Sequence, residues 1–203
     1  GSSGLAANAD DRSTPVYVRN SDNSGDLADV TSISAGYDST CALLADTRVV
    51  CWGSSSVGAL GNGVSSWSQA DWQPLPAFVK TNASTELSGA TEIAVGQGGG
   101  CAIVAAGAVK CWGSSGTRQL TPVDVVGLSS GVGAIAAGGN HTCALTTAGA
   151  VKCWGYGGAV GDNTGNSRYT PVDVVGLSSG VSAIAAGGGH TCALTTTGAV
   201  KCW

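Results

Sequence analysis

The stretch PVDVVGLSSGVSAIAAGGGHTCALTTTGAVKCW (residues 171–203) decides the fold, because it recurs almost unchanged as PVDVVGLSSGVGAIAAGGNHTCALTTAGAVKCW (residues 122–154). Looser copies read VTSISAGYDSTCALLADTRVVCW (residues 30–52) and ATEIAVGQGGGCAIVAAGAVKCW (residues 90–112). An internal repeat of this length indicates an architecture of stacked units. Cutting after each Cys-Trp pair divides the 203 residues into units 1–52, 53–112, 113–154 and 155–203.

Each unit predicts four short β-strands. In the last unit, apolar and β-branched residues form short runs at 182–186, 191–195 and 199–203, separated by a Gly-rich corner and a Thr-Thr-Gly turn. A fourth run, 171–175, begins with Pro, which is tolerated at the start of a strand. Four short strands in each repeat of about 50 residues are typical of a propeller blade. We therefore expect an all-β protein, a β-propeller of four-stranded blades, forming a single domain over residues 1–203.

The two ends of the sequence are in phase with the repeat. Residues 1–18, GSSGLAANADDRSTPVYV, resemble residues 155–174, GYGGAVGDNTGNSRYTPVDV. One unit is therefore expected to be split between residues 1–18 and Trp203. Residues 1–18 could complete that blade within one chain, giving a four-bladed ring, or between successive chains, giving a filament or a larger ring. The chain could also be part of a larger propeller of about seven blades.

The cysteines are evenly spaced in pairs. Nine residues separate the two members of every pair, and the second member is always followed by Trp. Antiparallel pairing around the intervening turn would place the two sulfurs opposite one another, close enough for a disulfide. The pairs predicted are Cys41–Cys51, Cys101–Cys111, Cys143–Cys153 and Cys192–Cys202. Reduced, buried cysteines remain the alternative, and structural zinc, which favours closer spacing, is disfavoured.

Three aromatic residues are candidates for an interaction surface. Trp67, Trp72 and Phe78 lie in the longest unit, in a stretch that resembles an insertion. Trp residues in a loop can anchor a protein partner, but the loop could also fold over its own aromatics. The two histidines, His141 and His190, occupy equivalent repeat positions, which favours a structural hydrogen bond to a neighbouring loop over catalysis, metal binding or pH sensing.

The remaining sequence argues against several function classes. Only 11% of the residues are charged, the net charge is −4, and Lys and Arg form no cluster, which disfavours a nucleic-acid surface. The apolar stretches are too short for a membrane span. We find no nucleophile motif, phosphate loop or metal-spaced histidine pair. The loop around Asp162 lacks the alternating carboxylates of a calcium site. The sequence thus predicts no enzyme, no metal and no cofactor.

The frame [VI]-x-x-I-x-A-G-x-x-H-[ST]-C-A-L-T, followed by a turn and V-x-C-W-G, resembles the repeats of the regulator of chromosome condensation family. The match is best at residues 184–203 and 135–155 and looser at 33–53 and 93–113. The Cys-containing version is similar to bacterial extracellular members. The resemblance implies a β-propeller, usually of seven blades, whose closure mixes strands from both termini. Family functions include nucleotide exchange on a GTPase, chromatin docking and inhibition of secreted β-lactamases, and none of them transfers residue by residue.

Taken together, these features predict a non-catalytic propeller that presents loops to a protein partner. The paired cysteines place it in an oxidising compartment, outside the cell or on its surface. The alternatives are a structural building block of an extracellular assembly, held by self-association, and a secreted enzyme inhibitor.

Overall fold

The computed structural model of the chain describes residues 14–65, 72–114 and 119–203. These residues form antiparallel β-sheets, joined by turns and single turns of 3-10 helix. The sequence-based expectation of an all-β fold built from short strands is confirmed. No helix in these ranges is long and apolar enough to cross a membrane.

Each sheet is one blade, and within a blade the strands follow one another in chain order. Blade 1 contains β1 (Val30–Ala35), β2 (Ser39–Leu44), β3 (Val49–Ser54) and β4 (Trp72–Phe78). Blade 2 contains β5 (Glu92–Val95), β6 (Gly99–Val104), β7 (Ala108–Gly113) and β8 (Gln119–Asp124). Blade 3 contains β9 (Val132–Ala137), β10 (His141–Thr146), β11 (Val151–Gly155) and β12 (Arg168–Asp173). Blade 4 contains β13 (Val181–Ala186), β14 (Thr191–Thr195) and β15 (Val200–Cys202).

The blades are shifted by one strand from the units that end at Cys-Trp. The Trp of a Cys-Trp pair lies at the end of the third strand, so the fourth strand of each blade belongs to the following sequence unit. Blade 4 accordingly has three strands in the described residues, and β15 is its edge. How the blade shared by residues 1–18 and Trp203 is completed stays a prediction.

The cysteines bridge the two middle strands of every blade. Cys41 lies directly opposite Cys51 in the β2–β3 ladder, and the other pairs have the same register. All four predicted pairs lie at disulfide distance, with S–S separations of 2.08–2.11 Å. Each bridge closes only a short hairpin, so in the entropic model it contributes about 2–3 kcal/mol.

The core lies between blades. At each junction, the earlier blade contributes its two cysteines, a Leu or Ile from its second strand and a Val from its third strand. It also contributes a Val and a Leu that follow its fourth strand. The next blade contributes an Ile, an Ala and the Trp of its Cys-Trp pair. In the junction between blades 3 and 4 these residues are Leu145, Val151, Val174, Leu177, Ile184, Ala193 and Trp203.

Two tryptophans of the Cys-Trp pairs also contact the preceding blade through a hydrogen bond. Trp112 Nε1 donates to the carbonyl oxygen of Ala59 at 3.0 Å, and Trp203 Nε1 donates to that of Ala159 at 2.8 Å. Each acceptor follows the third strand of the blade before. A buried indole N–H is therefore satisfied across the junction, which fixes the two blades relative to one another.

The corner between the first and second strands is where blades approach most closely. The glycine of the repeat frame, which follows Ala in blades 1, 3 and 4 and Val95 in blade 2, places Gly36, Gly96, Gly138 and Gly187 at equivalent corners. A Cβ atom added to Gly96 would lie 2.5 Å from the carbonyl oxygen of Gly138 in the next blade, and Gly36 and Gly138 are packed more tightly still. A side chain is excluded because backbone packs directly on backbone.

We predict that Gly96→Ala destabilises the protein by about 1–3 kcal/mol, because the new methyl group forces blades 2 and 3 apart. Urea denaturation followed by circular dichroism measures the loss. Gly189→Ala is the matched control, since a Cβ there meets no atom within 4 Å. Equal stability of the two variants would contradict the proposed close approach.

Candidate functional site

The four blade corners surround one cleft of about 400 Å³. Every blade contributes the same three consecutive positions, an apolar residue, the corner glycine and the residue after it. The first two positions keep the repeat frame, whereas the third differs: it is Tyr37, Gln97, Gly139 and Gly188 in successive blades. At this third position the cleft therefore has side chains from blades 1 and 2 and none from blades 3 and 4.

The floor of the cleft is mostly backbone and alanine. Some of its backbone groups already form hydrogen bonds between blades. Gln97 N donates to Gly139 O at 3.3 Å, and Gly139 N donates to Gly188 O at 3.2 Å. Tyr37 is 77% exposed and offers an aromatic ring and a hydroxyl group. Among the residues that line the cleft, Tyr37 is the one titratable group. This surface can hold a polypeptide by contact and hydrogen bonding.

Sequence reasoning missed Tyr37 and Gln97, because the Gly-rich corners were interpreted only as turns. The signal was available: the residue that follows the frame glycine changes from Tyr37 to Gln97 to Gly139, although the glycine itself recurs in every repeat. What the sequence could not show is that these corners from different blades meet at a single cleft.

The predicted aromatic surface is only partly described. Trp67 lies outside the described residues. Trp72 begins β4 and is 41% exposed, whereas Phe78 is at the other end of that strand and packs against the blade 1 core. The Arg48 guanidinium lies 4.4 Å above the Phe78 ring, a cation–π contact. Phe78 is thus held within the blade, and Trp72 is the better placed of the two for a partner.

A groove of about 460 Å³ runs along the outer side of blade 1. It is lined by most of β4, from Gln73 to Phe78, and by Lys80 and Glu86. Pro74 and Pro76 lie in β4 and have no N–H to donate, so this edge is poorly suited to adding a further strand. A partner in this groove would therefore be held by contacts with side chains and not by backbone hydrogen bonds to β4.

The histidines have unequal environments despite their equivalent positions. His141 is buried, and its Nε2 lies 2.8 Å from Thr191 Oγ1 in the next blade. The Thr191 hydroxyl donates to the Ala159 carbonyl, so its oxygen accepts the Nε2–H of His141. His190 occupies the same place in blade 4 and is exposed. His141 therefore makes a structural hydrogen bond as predicted, but its partner is the first residue of β14 and not a neighbouring loop.

The ring of His141 is held in its neutral form. Burial, and after it the charge of the neighbouring His190, lower the pKa of His141 from its ordinary value of 6.5. The Nδ1 atom is buried and has no hydrogen-bond partner among the described residues. A proton added there would be desolvated without an acceptor, which agrees with the direction of the shift.

The acidic turn around Asp162 is held by its own residues. The carboxylate accepts hydrogen bonds from Thr164 N, from Thr164 Oγ1 and from Arg168 Nε, and these lower the pKa of Asp162. Within the described ranges, His, Cys, Asp and Glu form no group of three or more that could hold a metal ion.

The regulator of chromosome condensation (RCC1) repeat matches residues 30–59, 134–164 and 181–203. The chain contains RCC1 repeats. The matched segments fall in blades 1, 3 and 4, and blade 2 has the same strand order and register. The resemblance seen in the sequence is thereby confirmed.

Solved structures share the fold of these RCC1 repeats. Yeast RCC1 (Prp20), solved bound to Kap60, is 25% identical with a TM-score of 0.69, covering 86% of this chain and 43% of that one. Human WBSCR16 is 24% identical, with a TM-score of 0.69, over 86% of this chain and 47% of that one. Prp20p from Saccharomyces cerevisiae is 24% identical, with a TM-score of 0.68, over 86% and 44%. The chain thus spans less than half the length of these structures. Among curated proteins, none matches the chain in sequence.

We predict that stability falls as the pH drops below about 6.5, because the unfolded chain then protonates His141 while the folded chain does not. The loss continues until the lowered pKa of the folded state is reached, with a slope of at most about 1.4 kcal/mol per pH unit. Urea unfolding at several pH values between 7.5 and 5.5 measures this change in the free energy of unfolding.

The variant His141→Gln keeps a donor for Thr191 and removes the titration, so its stability should change less over this pH range. His190→Gln serves as the control and should retain most of the slope. If the native protein and His141→Gln lose stability in parallel, His141 is not the group responsible.

Proposed function

We propose that this protein is a non-catalytic propeller scaffold that binds a protein partner at the mouth of the corner cleft. The observation that carries the proposal is the contrast within each repeat. At the junctions between blades, frame residues such as Val109, Val151 and Trp154 are buried, whereas Tyr37 and Gln97, which break the repeat pattern, line the open cleft. A surface that varies on a constant support is typical of a recognition site.

The chemistry of the cleft fits a polypeptide segment. Corner backbone and alanine offer shallow apolar contact, the Gln97 amide both donates and accepts, and Tyr37 provides the kind of rigid aromatic contact that anchors many protein interfaces. An inhibitor of a secreted enzyme would be one form of such a binder. In support, yeast RCC1, which is 25% identical, has been solved in a complex with another protein, Kap60.

A second contact surface is proposed at β4. Trp72 is partly exposed beside the outer groove of blade 1, and Trp67 is close to it in sequence. Phe78 would take part by shaping the groove that it lines. These three residues would extend the recognition area to the rim of the propeller.

We also propose that the protein works outside the cell or on its surface. Four cysteine pairs at disulfide distance support this placement, because such bridges persist in oxidising compartments and are rare in the cytosol.

The binding proposal predicts that Tyr37→Ala lowers the affinity for the partner at least about tenfold, the effect of losing roughly 1.4 kcal/mol at an interface anchor. Quantitative affinity capture from the native extracellular fraction compares it with the unchanged protein. Tyr169→Ala, an equally exposed tyrosine in β12, is the matched control. A partner retained by Tyr37→Ala, or lost equally with Tyr169→Ala, would remove the cleft as the binding site.

The compartment proposal predicts that protein isolated under alkylating conditions has no free thiol among its eight cysteines. Intact mass spectrometry before and after reduction should then differ by eight alkyl groups. Eight alkylated thiols in the unreduced sample would refute both the disulfides and the extracellular placement.

A further inference from the structure

Asn62 differs from the other asparagines of the chain in the residue that follows it. Of the eight asparagines, it alone precedes a glycine. Because glycine has no side chain, its backbone nitrogen can approach the carboxamide of the preceding asparagine without hindrance. An Asn-Gly pair is therefore the dipeptide in which deamidation is fastest. The pair lies between β3 and β4, and Asn62 lines the outer groove of blade 1.

Deamidation of Asn62 needs no reactant other than water. The backbone nitrogen of Gly63 gives up its proton and forms a bond to Cγ of Asn62. The Cγ–Nδ2 bond breaks, and Nδ2 takes up a proton and leaves as ammonia. Water then opens the resulting five-membered imide. Hydrolysis at Cγ gives aspartate in a normal backbone, and hydrolysis at the main-chain carbonyl carbon gives isoaspartate.

The turn prepares the carboxamide of Asn62 for this attack. Val64 N donates a hydrogen bond to Asn62 Oδ1 at 3.1 Å, which forms an Asx turn. This oxygen gains negative charge when the Gly63 nitrogen attacks Cγ. The N–H group that already contacts it would therefore stabilise the tetrahedral intermediate, as a donor in an oxyanion hole does.

The attacking nitrogen, in contrast, is restrained by the next blade. Gly63 N donates a hydrogen bond to the carbonyl oxygen of Leu120 at 2.9 Å. Leu120 lies in β8, the fourth strand of blade 2. A nitrogen whose proton is held in this bond is a poor nucleophile, so the reaction requires the bond to open. Local opening of the junction between blades 1 and 2 would thus set the rate.

The equivalent turn of blade 3 shows that a carboxylate fits at this position. Residues 59–63, Ala-Leu-Gly-Asn-Gly, correspond to residues 159–163, Ala-Val-Gly-Asp-Asn. The Asp162 carboxylate accepts a hydrogen bond from the backbone N–H two residues later at 3.1 Å, the distance also found at Asn62. The next residue has a positive φ in both turns, 62° in blade 3 and 85° in blade 1. The aspartate product can therefore keep the conformation of the turn.

The charge created in blade 1 would lack the arginine that accompanies it in blade 3. There, Arg168 Nε donates to the Asp162 carboxylate. Arg168 lies opposite the glycine that follows Cys-Trp, and the residue with this register in blade 1 is Gln73. Gln73 is neutral and lines the same groove as Asn62. Deamidation therefore adds a negative charge to the groove.

We propose that Asn62 is a site of spontaneous deamidation in the folded protein, at a rate controlled by the Gly63–Leu120 bond across the junction of blades 1 and 2. The reaction changes the charge of the outer groove irreversibly as the molecule ages. An effect on a protein partner rests on the proposed function of that groove, whereas the modification itself does not.

The experiment is incubation of the oxidised 203-residue chain at pH 8 and 37 °C, with peptide mapping by mass spectrometry at intervals. Electron-transfer fragmentation distinguishes isoaspartate from aspartate. We expect Asn62 to react before every other asparagine. It should react at least about tenfold more slowly in the native protein than in the same chain unfolded in urea, because only opened molecules react. Asn62→Gln, whose longer side chain would have to form a six-membered ring, is the control and should stay unmodified.

A substitution next to Leu120 tests the control by the junction. A Cβ atom on Gly58 would lie 2.9 Å from the carbonyl oxygen of Gln119, so Gly58→Ala should loosen β8 and speed the reaction at Asn62. Gly127→Ala is the matched control, because that glycine also has a positive φ but its Cβ would meet no atom within 4 Å. Circular dichroism checks folding. Urea below the unfolding transition loosens the junction without any substitution and should also speed the reaction.

Several outcomes would overturn the proposal. One is modification that begins at another asparagine. Equal rates in the native and the unfolded chain would show that the junction gives no protection. A native chain that stays unmodified while the unfolded chain reacts would show that the folded turn is closed to the reaction. If neither Gly58→Ala, compared with Gly127→Ala, nor urea below the transition speeds the reaction, the junction does not control it.

Discussion

Direct backbone contact between blades at the glycine corners is the constraint on which the rest of the structure depends. Gly36, Gly96 and Gly138 each leave no room for a side chain beneath the backbone of the next blade. This closeness brings the inner strands together, so that an Ile, an Ala and a Trp can fill the space that widens outward. It also gathers corners from all four blades around one cleft, which is the proposed recognition surface.

Much of this fold could be predicted from the sequence because the same physical requirement is met several times. The spacing of Cys41 and Cys51 indicates a hairpin with opposed sulfurs, and the same spacing in the other three cysteine pairs supports this interpretation. The predicted strand at 191–195 coincides with β14. The blade boundaries were less accessible, because Cys-Trp is the most visible landmark but lies one strand before the end of a blade.

The candidate functional surfaces were harder to predict because they depend on contacts between repeats. His141 and His190 occupy equivalent repeat positions, yet one is buried against Thr191 and the other is exposed. Trp72 and Phe78 were expected in a loop, but both lie in β4, where Phe78 packs on blade 1 beneath Arg48. In both cases the deciding neighbour lies far away along the chain or in another strand, where composition and spacing carry no signal.

The placement of the disulfides has a consequence for how the molecule would respond to proteases. Each bridge joins the second and third strands of a blade, so a cut in the turn between Cys143 and Cys153 would leave both ends covalently attached. The connection between the third and fourth strands has no such bridge, and a cut there would separate a chain into fragments held only by packing. In a protease-rich environment, the durability of the molecule would therefore be decided by the loops that follow each Trp.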